Sequence, residues 1–253
     1  MREQIDTIPV NEAFLSNDEC PFCYLERQAE QRAIRYTVGP GASYMEPEVR
    51  GTTDRLGFCA QHMKKLYDYG NALGNALILQ TYYVGLIREL DRQLDDFEMP
   101  PKKPLFSLKK QEPGEAENIL LQWAKRRNES CFLCDKIAYN MHRYYTTFFY
   151  LVKDAEFRSK VEQCKGFCMR HFAQLMEVAQ QELSNAQREW FYATIPSQMR
   201  DNLARVQADL DWFIEKFDYR NASADWKNSR DALPRAMQKL RGFHPSDPPY
   251  KEK

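Results

Sequence analysis

The sequence has no long apolar run, no excess charge of either sign and few cysteines, and each absence excludes a class of protein. No window approaches about 18 uncharged apolar residues, so no transmembrane helix is expected. Residues 1–12 carry charged side chains where a secretory signal would be apolar. Lysine plus arginine and aspartate plus glutamate each number 36. The net charge of zero therefore provides no global field that favours nucleic acid or an anionic membrane.

Seven cysteines in 253 residues are too few for a disulfide scaffold. In a chain without an export signal, cysteines paired as C-x-x-C indicate metal binding or redox chemistry. The chain is 43% hydrophobic and 13% aromatic, which is typical of a globular protein. We expect it to be cytoplasmic and long enough for one large domain or two modest ones.

One pattern occurs twice: C-x-x-C, then about 35 residues, then G-F-C-x-x-H. The first copy supplies Cys20, Cys23, Cys59 and His62, and the second supplies Cys131, Cys134, Cys168 and His171. The C-x-x-C pairs are offset by 111 residues and the C-x-x-H pairs by 109. The small difference falls in the intervening loop, where length changes are tolerated. The pattern therefore predicts a tandem duplication.

Three thiolates and one imidazole are a typical ligand set for zinc, which binds four such ligands in a tetrahedron. We expect each C-x-x-C to share one ion with the C-x-x-H that follows it in the same half of the chain. Each site would then join the first helix of its unit to the helix that begins after G-F-C. Four protein ligands leave no open position, so the sequence predicts two structural zinc ions.

Other occupants match the pattern less well than zinc. Cys20-Pro21-Phe22-Cys23 matches the short pattern of glutaredoxin-type redox centres, but the expected βαβ context is absent. A c-type haem would need histidine after the second cysteine, where Tyr24 and Asp135 stand. An iron–sulfur cluster with Cys₃His ligation stays open as the alternative to zinc.

Hydrophobic periodicity predicts an all-α protein of two similar helical units in tandem. The predicted domains are a first unit over 1–98, a proline- and lysine-rich linker over 99–114, a second unit over 115–219, and a C-terminal helix and tail over 220–253. The predicted helices run from Pro21 to about 36, from 60 to 97 with a break at Gly70, from 134 to 153, from 155 to 163, from 172 to 217 with breaks at Ser184 and Pro196, and from 231 to 240. Residues 42–56 are expected to be loop with a short helical piece near Pro47.

Several residues outside the two motifs have more ordinary expected roles. Cys164 is expected to be a packed thiol, His142 a hydrogen-bonded core or rim histidine and His244 solvated. The aromatic run from Tyr139 to Tyr150 is expected to be core. Two acid–base pairs, Glu48 with Arg50 and Glu156 with Arg158, are either hydrogen-bond partners of the metal ligands or surface pairs.

The chain resembles a family of uncharacterised bacterial proteins, a domain of unknown function found mainly in anaerobic Gram-positive bacteria. The resemblance rests on the doubled metal motif and three short segments: Ile8-Pro9-Val10-Asn11-Glu12-Ala13-Phe14, Lys216-Phe217-Asp218-Tyr219-Arg220 and Asp231-Ala232-Leu233-Pro234-Arg235. It spans nearly the whole chain and implies a cytoplasmic bacterial protein without a known activity.

The sequence favours a non-enzymatic interaction or scaffold protein with structural zinc and a protein partner, and no nucleic-acid or membrane partner. The alternative is a redox- or metal-responsive protein in which one zinc site is labile or holds an iron–sulfur cluster. An enzyme has no support, because no nucleophile motif, phosphate loop or open metal triad is present and no catalytic residue is assigned.

Overall fold

A computed structural model describes residues 5–99, 118–242 and 244–245, and in these ranges the chain is helical without strands. The predicted all-α class is therefore confirmed. The predicted linker over 99–114 lies, apart from Met99, outside the described residues. The helices are α1 Thr7–Leu15, α2 Pro21–Val38, α3 Pro47–Leu56, α4 Ala60–Tyr69, α5 Ala72–Asp95, α6 Ile119–Glu129, α7 Phe132–Leu151, α8 Ala155–Gln163, α9 Met169–Glu182, α10 Asn185–Glu215 and α11 Ala232–Arg241.

Local signals account for most helix ends. Pro21 opens α2 as predicted, because its missing N–H costs nothing at the first position. Gly70 ends α4 with φ 97°, a conformation that glycine adopts without strain. Ser184 precedes α10, and its backbone N–H donates to the side-chain oxygen of Gln187 at 3.1 Å, as in a capping box.

Two predictions of local structure were wrong. Residues 47–56, expected to be mostly loop, form the full helix α3, because Pro47 starts it and Val49 and Thr53 bury one face. Helix α10 continues through Pro196, where a break was predicted. Buried Ile195 and Met199 hold the helix against the core on both sides of that proline.

The chain forms two compact units that differ from the predicted consecutive domains. The first unit contains the described residues up to Glu30 together with those from Ile137 onward, and the second is Gln31–Lys136. The boundaries therefore fall inside α2 and α7. Similarity between the two halves of the chain stays a prediction.

The core of the first unit is largely aromatic. Tyr144, Tyr145, Phe148 and Phe149 on α7 are all at least 95% buried, so most of the aromatic run is core, as predicted; Tyr139 is exposed. Phe148 stacks on a phenylalanine of α1 with ring centroids 5.6 Å apart. Such ring pairs add to the free energy gained by burying apolar area.

The core of the second unit is smaller and mainly aliphatic. Its buried members include Ile34, Val38, Leu66, Ile78 and Leu133. Helix α5 contributes only Gly74 and Ile78 to the buried residues, although it has 24 residues. No helix in the described part of the chain combines the length and apolar character needed to cross a membrane.

Candidate metal centres

The structure brings all eight predicted ligands into two groups, within each of which the ligand atoms lie less than 4.8 Å apart. We call Cys20, Cys23, Cys168 and His171 the buried group, because every member is buried. We call Cys59, His62, Cys131 and Cys134 the half-exposed group, because Cys59 is half-buried and Cys134 is exposed. The buried group lies in the first unit and the half-exposed group in the second.

The predicted pairing within each half of the chain was wrong. Each C-x-x-C meets the C-x-x-H of the other half, so α2 is joined to the start of α9 and not to that of α4. The aromatic neighbours of the ligands pack in the same crossed sense. The ring of Phe22 lies 5.9 Å from that of Phe167, and the ring of Phe58 lies 6.1 Å from that of Phe132. Packing of these rings, not local spacing, selects the partner.

Every ligand pair lies at the start of a helix, as predicted. Cys168 caps α9 and its Sγ accepts a hydrogen bond from the backbone N–H of His171. The Sγ of Cys131 likewise lies 3.5 Å from the backbone N of Cys134 in the first turn of α7. The free N–H groups and positive dipole end of a helix stabilise thiolates at this place.

A glycine with positive φ precedes each C-x-x-H pair, which confirms the predicted tight turns. Gly57 has φ 61° and ψ −155°, a region that residues with a Cβ avoid. A Cβ on Gly57 would also lie 2.8 Å from the ring of Tyr82. Gly166 has φ 76°, and a Cβ at that position would contact Asn202 at 3.3 Å.

In the buried group, the Nδ1 atom of His171 faces all three sulfurs. It lies 3.4 Å from Sγ of Cys20, 3.4 Å from Sγ of Cys23 and 3.3 Å from Sγ of Cys168. The opposite ring atom, Nε2, is buried and lies 3.6 Å from a carboxylate oxygen of Glu26. At this distance Nε2 has no hydrogen-bond partner within the ranges that the structure describes, so the carboxylate acts on the ring through its charge, which favours a proton on Nε2 and leaves Nδ1 to face the sulfurs.

Glu26 is itself held by Arg170, the residue before His171. The Nη1 atom of Arg170 donates to Glu26 Oε1 at 2.7 Å, and Nη2 pairs with Oε2. This two-pronged contact fixes the carboxylate behind the imidazole. The half-exposed group has Gln61 and Ile137 at the corresponding positions, so the arginine–glutamate pair itself is not repeated there.

The half-exposed group has nearly the same internal distances. Nδ1 of His62 lies 3.3 Å from Sγ of Cys59, 3.3 Å from Sγ of Cys131 and 3.4 Å from Sγ of Cys134. The two groups therefore differ in exposure and not in ligand geometry.

The two ligand-bearing turns are joined differently in each group. In the half-exposed group, the N–H of Phe132 donates to the carbonyl of Gly57 at 2.9 Å. The hydroxyl of Ser130 donates to the carbonyl of Leu56 at 2.7 Å. In the buried group, the position that corresponds to Phe132 is Pro21, which has no N–H to donate.

Lys239 of α11 joins the turns of the buried group instead. Its Nζ donates to the carbonyls of Glu19 and Lys165, which precede the two ligand pairs. It also lies 3.2 Å from a carboxylate oxygen of Glu19. Lys239 is 1% exposed and Glu19 4%, so this is a buried ion pair with its hydrogen bonds supplied by backbone.

Proton affinities in the two groups reflect their close packing. Hydrogen bonds from Cys20 and Cys23 hold the pKa of the Cys168 thiol far below its usual range. Burial lowers the pKa of His171, but the surrounding sulfurs outweigh burial and raise it to about 10. Burial raises the pKa of Cys131, but hydrogen bonds from His62 and nearby backbone outweigh it and lower that pKa to about 6. Metal binding to such a group would release protons, so its affinity for metal would fall as the pH falls.

The chain with these two groups matches a known protein family over nearly its whole length. The model of a family of unknown function, DUF6062, matches residues 1–247. The chain belongs to this family. No curated protein and no solved structure matches it.

The other candidate residues of this DUF6062 protein lie outside the two groups. Cys164 is half-buried against the first core, as predicted. His142 is exposed, and His244 is half-buried where solvation was predicted.

The suggested acid–base pairs do not approach the ligands. Glu156 pairs with Lys160, and Arg158 donates to the carbonyl of Val152. Glu48 is exposed, as expected of a surface group, whereas Nε and Nη2 of Arg50 are buried without a hydrogen-bond partner among the described residues.

Sequence reasoning missed Glu26 and Lys239. Glu26 could have been found from its spacing, because it follows Cys23 by three residues and so lies on the same face of α2. Lys239 had none, because it stands 68 residues beyond His171 in a helix outside the duplicated pattern.

Proposed function

We propose that each Cys₃His group binds one structural zinc ion and that the protein is a non-enzymatic interaction protein. The observation that supports this proposal most directly is the close approach of four ligand atoms in each group. Zinc with Zn–S bonds of about 2.3 Å and Zn–N bonds of about 2.0 Å has tetrahedron edges of about 3.5 Å (S···N) and about 3.8 Å (S···S). The S···N distances are 3.3–3.4 Å, and two S···S distances are 3.6 and 3.9 Å.

The same distances favour a single ion over an iron–sulfur cluster. A cluster places several irons and sulfides among its ligands and so spreads the cysteine sulfurs further apart. All ligand atoms here lie within 4.8 Å of one another, which suits one metal atom at the centre.

A structural role follows from the number of ligands. Four protein ligands fill a tetrahedral zinc and leave no position for substrate. Structural zinc contributes about 10 to 16 kcal/mol of apparent binding free energy in zinc-finger peptides, as much as the stability of a whole domain. Thiolate ligands need a reducing compartment, so we place this function in the cytoplasm.

Metal analysis of anaerobically purified protein tests this proposal. We expect two zinc ions per chain and one each in Cys59→Ser and His171→Ala, with two retained in Cys164→Ser. A brown protein with acid-labile sulfide would contradict it.

The crossed assignment needs a measurement that separates the two sites. After replacement by ¹¹³Cd, Cys20→Ser and Cys168→Ser should remove the same cadmium resonance, and Cys59→Ser the other. If Cys20→Ser and Cys59→Ser instead removed the same resonance, the ligands would be paired within each half of the chain.

Helix α5 supports a protein partner. Five of its apolar side chains are exposed, and at 3.6 residues per turn they fall within an arc of about 100°; they are Leu73, Tyr83, Val84, Ile87 and Leu94. An apolar stripe of this width is typical of a helix that packs against another protein helix. We propose that this stripe binds an apolar helix of the partner.

Crosslinking in the native host tests the stripe. Replacing Val84 with a photoreactive residue should give a discrete crosslinked protein, which the added substitution Ile87→Asp removes. Arg88→Asp, one residue away on the polar side, should leave the crosslink. Equal effects of the two substitutions would contradict the assignment.

A second candidate function, a redox-responsive protein, is favoured by the exposure of Cys134. Oxidants reach an exposed thiolate more readily than a buried one. With mild peroxide and a chromogenic chelator, we expect one zinc equivalent to be released rapidly and to return after reduction. Simultaneous release of both equivalents, or of neither, would contradict this function.

A further inference from the structure

A cavity of about 420 Å³ lies in the second unit, among α3, α5 and α6. Its volume is within the range of about 300–1,000 Å³ found for small-molecule sites. Four arginines line it, and the only carboxylate among its lining residues is that of Glu89; the arginines are Arg55, Arg92, Arg126 and Arg127.

Glu89 forms a hydrogen-bonded ion pair with one of these arginines, Arg127. The Nε atom of Arg127 donates to Glu89 Oε2 at 2.8 Å, and its Nη2 pairs with Oε1. Arg127 also donates to the carbonyl of Arg55, so it forms part of the cavity wall. Among the described lining residues, Arg55 and Arg126 have no carboxylate partner, and Arg92 interacts with Glu89 only through its charge. One carboxylate among four guanidinium groups leaves an excess of positive charge that suits a phosphate.

The remaining wall has an aromatic ring and an unsatisfied acceptor. The indole N–H of Trp123 donates to Glu89 Oε2 at 3.2 Å, which fixes the ring in the wall. The side-chain oxygen of Gln93 is buried and has no hydrogen-bond partner. An unpaired buried acceptor is costly, and a ligand N–H or O–H group would satisfy it. A ligand with a planar ring, a hydrogen-bond donor and a phosphate would use all three features.

We propose that this cavity binds a small organic phosphate of the nucleoside monophosphate class. Its phosphate pairs with Arg126, Arg55 and Arg92, its ring lies against Trp123, and a ring-borne donor bonds Gln93. The assignment uses only side chains of the cavity wall and does not depend on which metal occupies the half-exposed group.

Isothermal titration calorimetry on the full metal-loaded chain tests the site with three probes: AMP, inorganic phosphate and adenosine. In low-salt buffer we expect AMP to bind most tightly, phosphate more weakly and adenosine without measurable heat. Added salt should weaken AMP binding, because ion pairs with exposed guanidinium groups are screened. Absence of AMP binding at millimolar concentration, or equal affinity for AMP and phosphate, would overturn the proposal.

Substitutions of the cavity residues test whether AMP binds in this cavity. Arg126→Ala should weaken AMP at least about tenfold, because a charge-assisted hydrogen bond contributes about 1.5 to 3 kcal/mol. Arg126→Lys should fall between Arg126→Ala and the unaltered chain. Trp123→Leu should abolish the preference for AMP over phosphate.

Arg200→Ala, which removes an exposed arginine of the first unit, is the matched control and should leave the affinity unchanged. Zinc content and circular dichroism report the fold of each variant. Unaltered AMP affinity in folded Arg126→Ala, or equal loss in Arg200→Ala, would overturn the assignment.

Discussion

The two candidate metal groups have the same ligand residues and nearly the same internal distances, yet they differ in burial, in the residue at the position of Glu26 and in the way their two turns are joined. The buried group has a carboxylate behind its histidine and a lysine that joins its two turns. The half-exposed group uses a serine hydroxyl and a backbone N–H for the same connection and presents Cys134 to solvent. Two groups built from one repeated motif can therefore have different neighbours, and we expect those neighbours to set how firmly each group would hold a metal.

The largest expected difference concerns removal of one ligand from each group. Cys168→Ser should lose one metal equivalent and unfold the first unit, because metal binding in a buried site contributes as much free energy as a domain's whole stability. Cys134→Ser should lose the other equivalent and leave the first unit folded. Metal analysis with near-ultraviolet circular dichroism distinguishes these outcomes. If the first unit unfolded equally in both variants, the two groups would not differ in their effect on its stability.

Lys239→Met should weaken the buried group alone. It leaves Glu19 with one cation fewer and two buried carbonyls without a donor, and breaking a buried ion pair costs about 3 kcal/mol. We expect a lower midpoint of urea unfolding and faster zinc loss to a chelator from one site. Arg241→Met, which changes an exposed residue of the same helix, should have neither effect. Faster loss from the half-exposed group would contradict the role of Lys239.

Alanine at the two glycine turns should distinguish the groups further. Gly57→Ala should cost about 2 to 3 kcal/mol, because an unfavourable φ/ψ region and a clash with Tyr82 act together. Gly166→Ala should cost less, about 1 kcal/mol, because a positive φ costs about 1 to 2 kcal/mol and an added Cβ would lie 3.3 Å from Asn202 instead of 2.8 Å from Tyr82. Urea unfolding of the zinc-loaded variants measures both. A larger cost for Gly166→Ala than for Gly57→Ala would show that these contacts do not set the cost of a side chain at the two turns.

The last expected effect, at Glu26, is confined to metal affinity. Glu26→Gln should weaken metal binding to the buried group by about 10- to 100-fold, the usual cost of losing a carboxylate behind a metal-bound histidine. The half-exposed group, which has Ile137 at the corresponding position, should be unaffected. Competition with a chelator of known affinity measures this, and Glu12→Gln on α1 is the control. An equal change in both groups would argue against Glu26 as the orienting residue.

The ligands and the helix starts could be predicted from sequence because both depend on local spacing. The pairing could not, since either C-x-x-C has the correct geometry to meet either C-x-x-H. What decides it is the packing of rings such as Phe22 against Phe167, between residues 145 positions apart in the chain. The unit boundaries inside α2 and α7 were missed for the same reason, because helical periodicity does not show when a helix passes from one core to another.

In the crossed pairing, the loop of chain that the half-exposed group closes lies inside the loop that the buried group closes. His62 meets Cys134 across 72 residues, and this loop lies wholly within the 145-residue separation between Cys23 and Cys168. During synthesis, all ligands of the half-exposed group emerge before either ligand of the second C-x-x-H pair. The two turns of the buried group can therefore meet only after every residue of the half-exposed group has been made, and Lys239, which joins those turns, is made later still. The order of synthesis thus favours assembly of the half-exposed group first and of the buried group last.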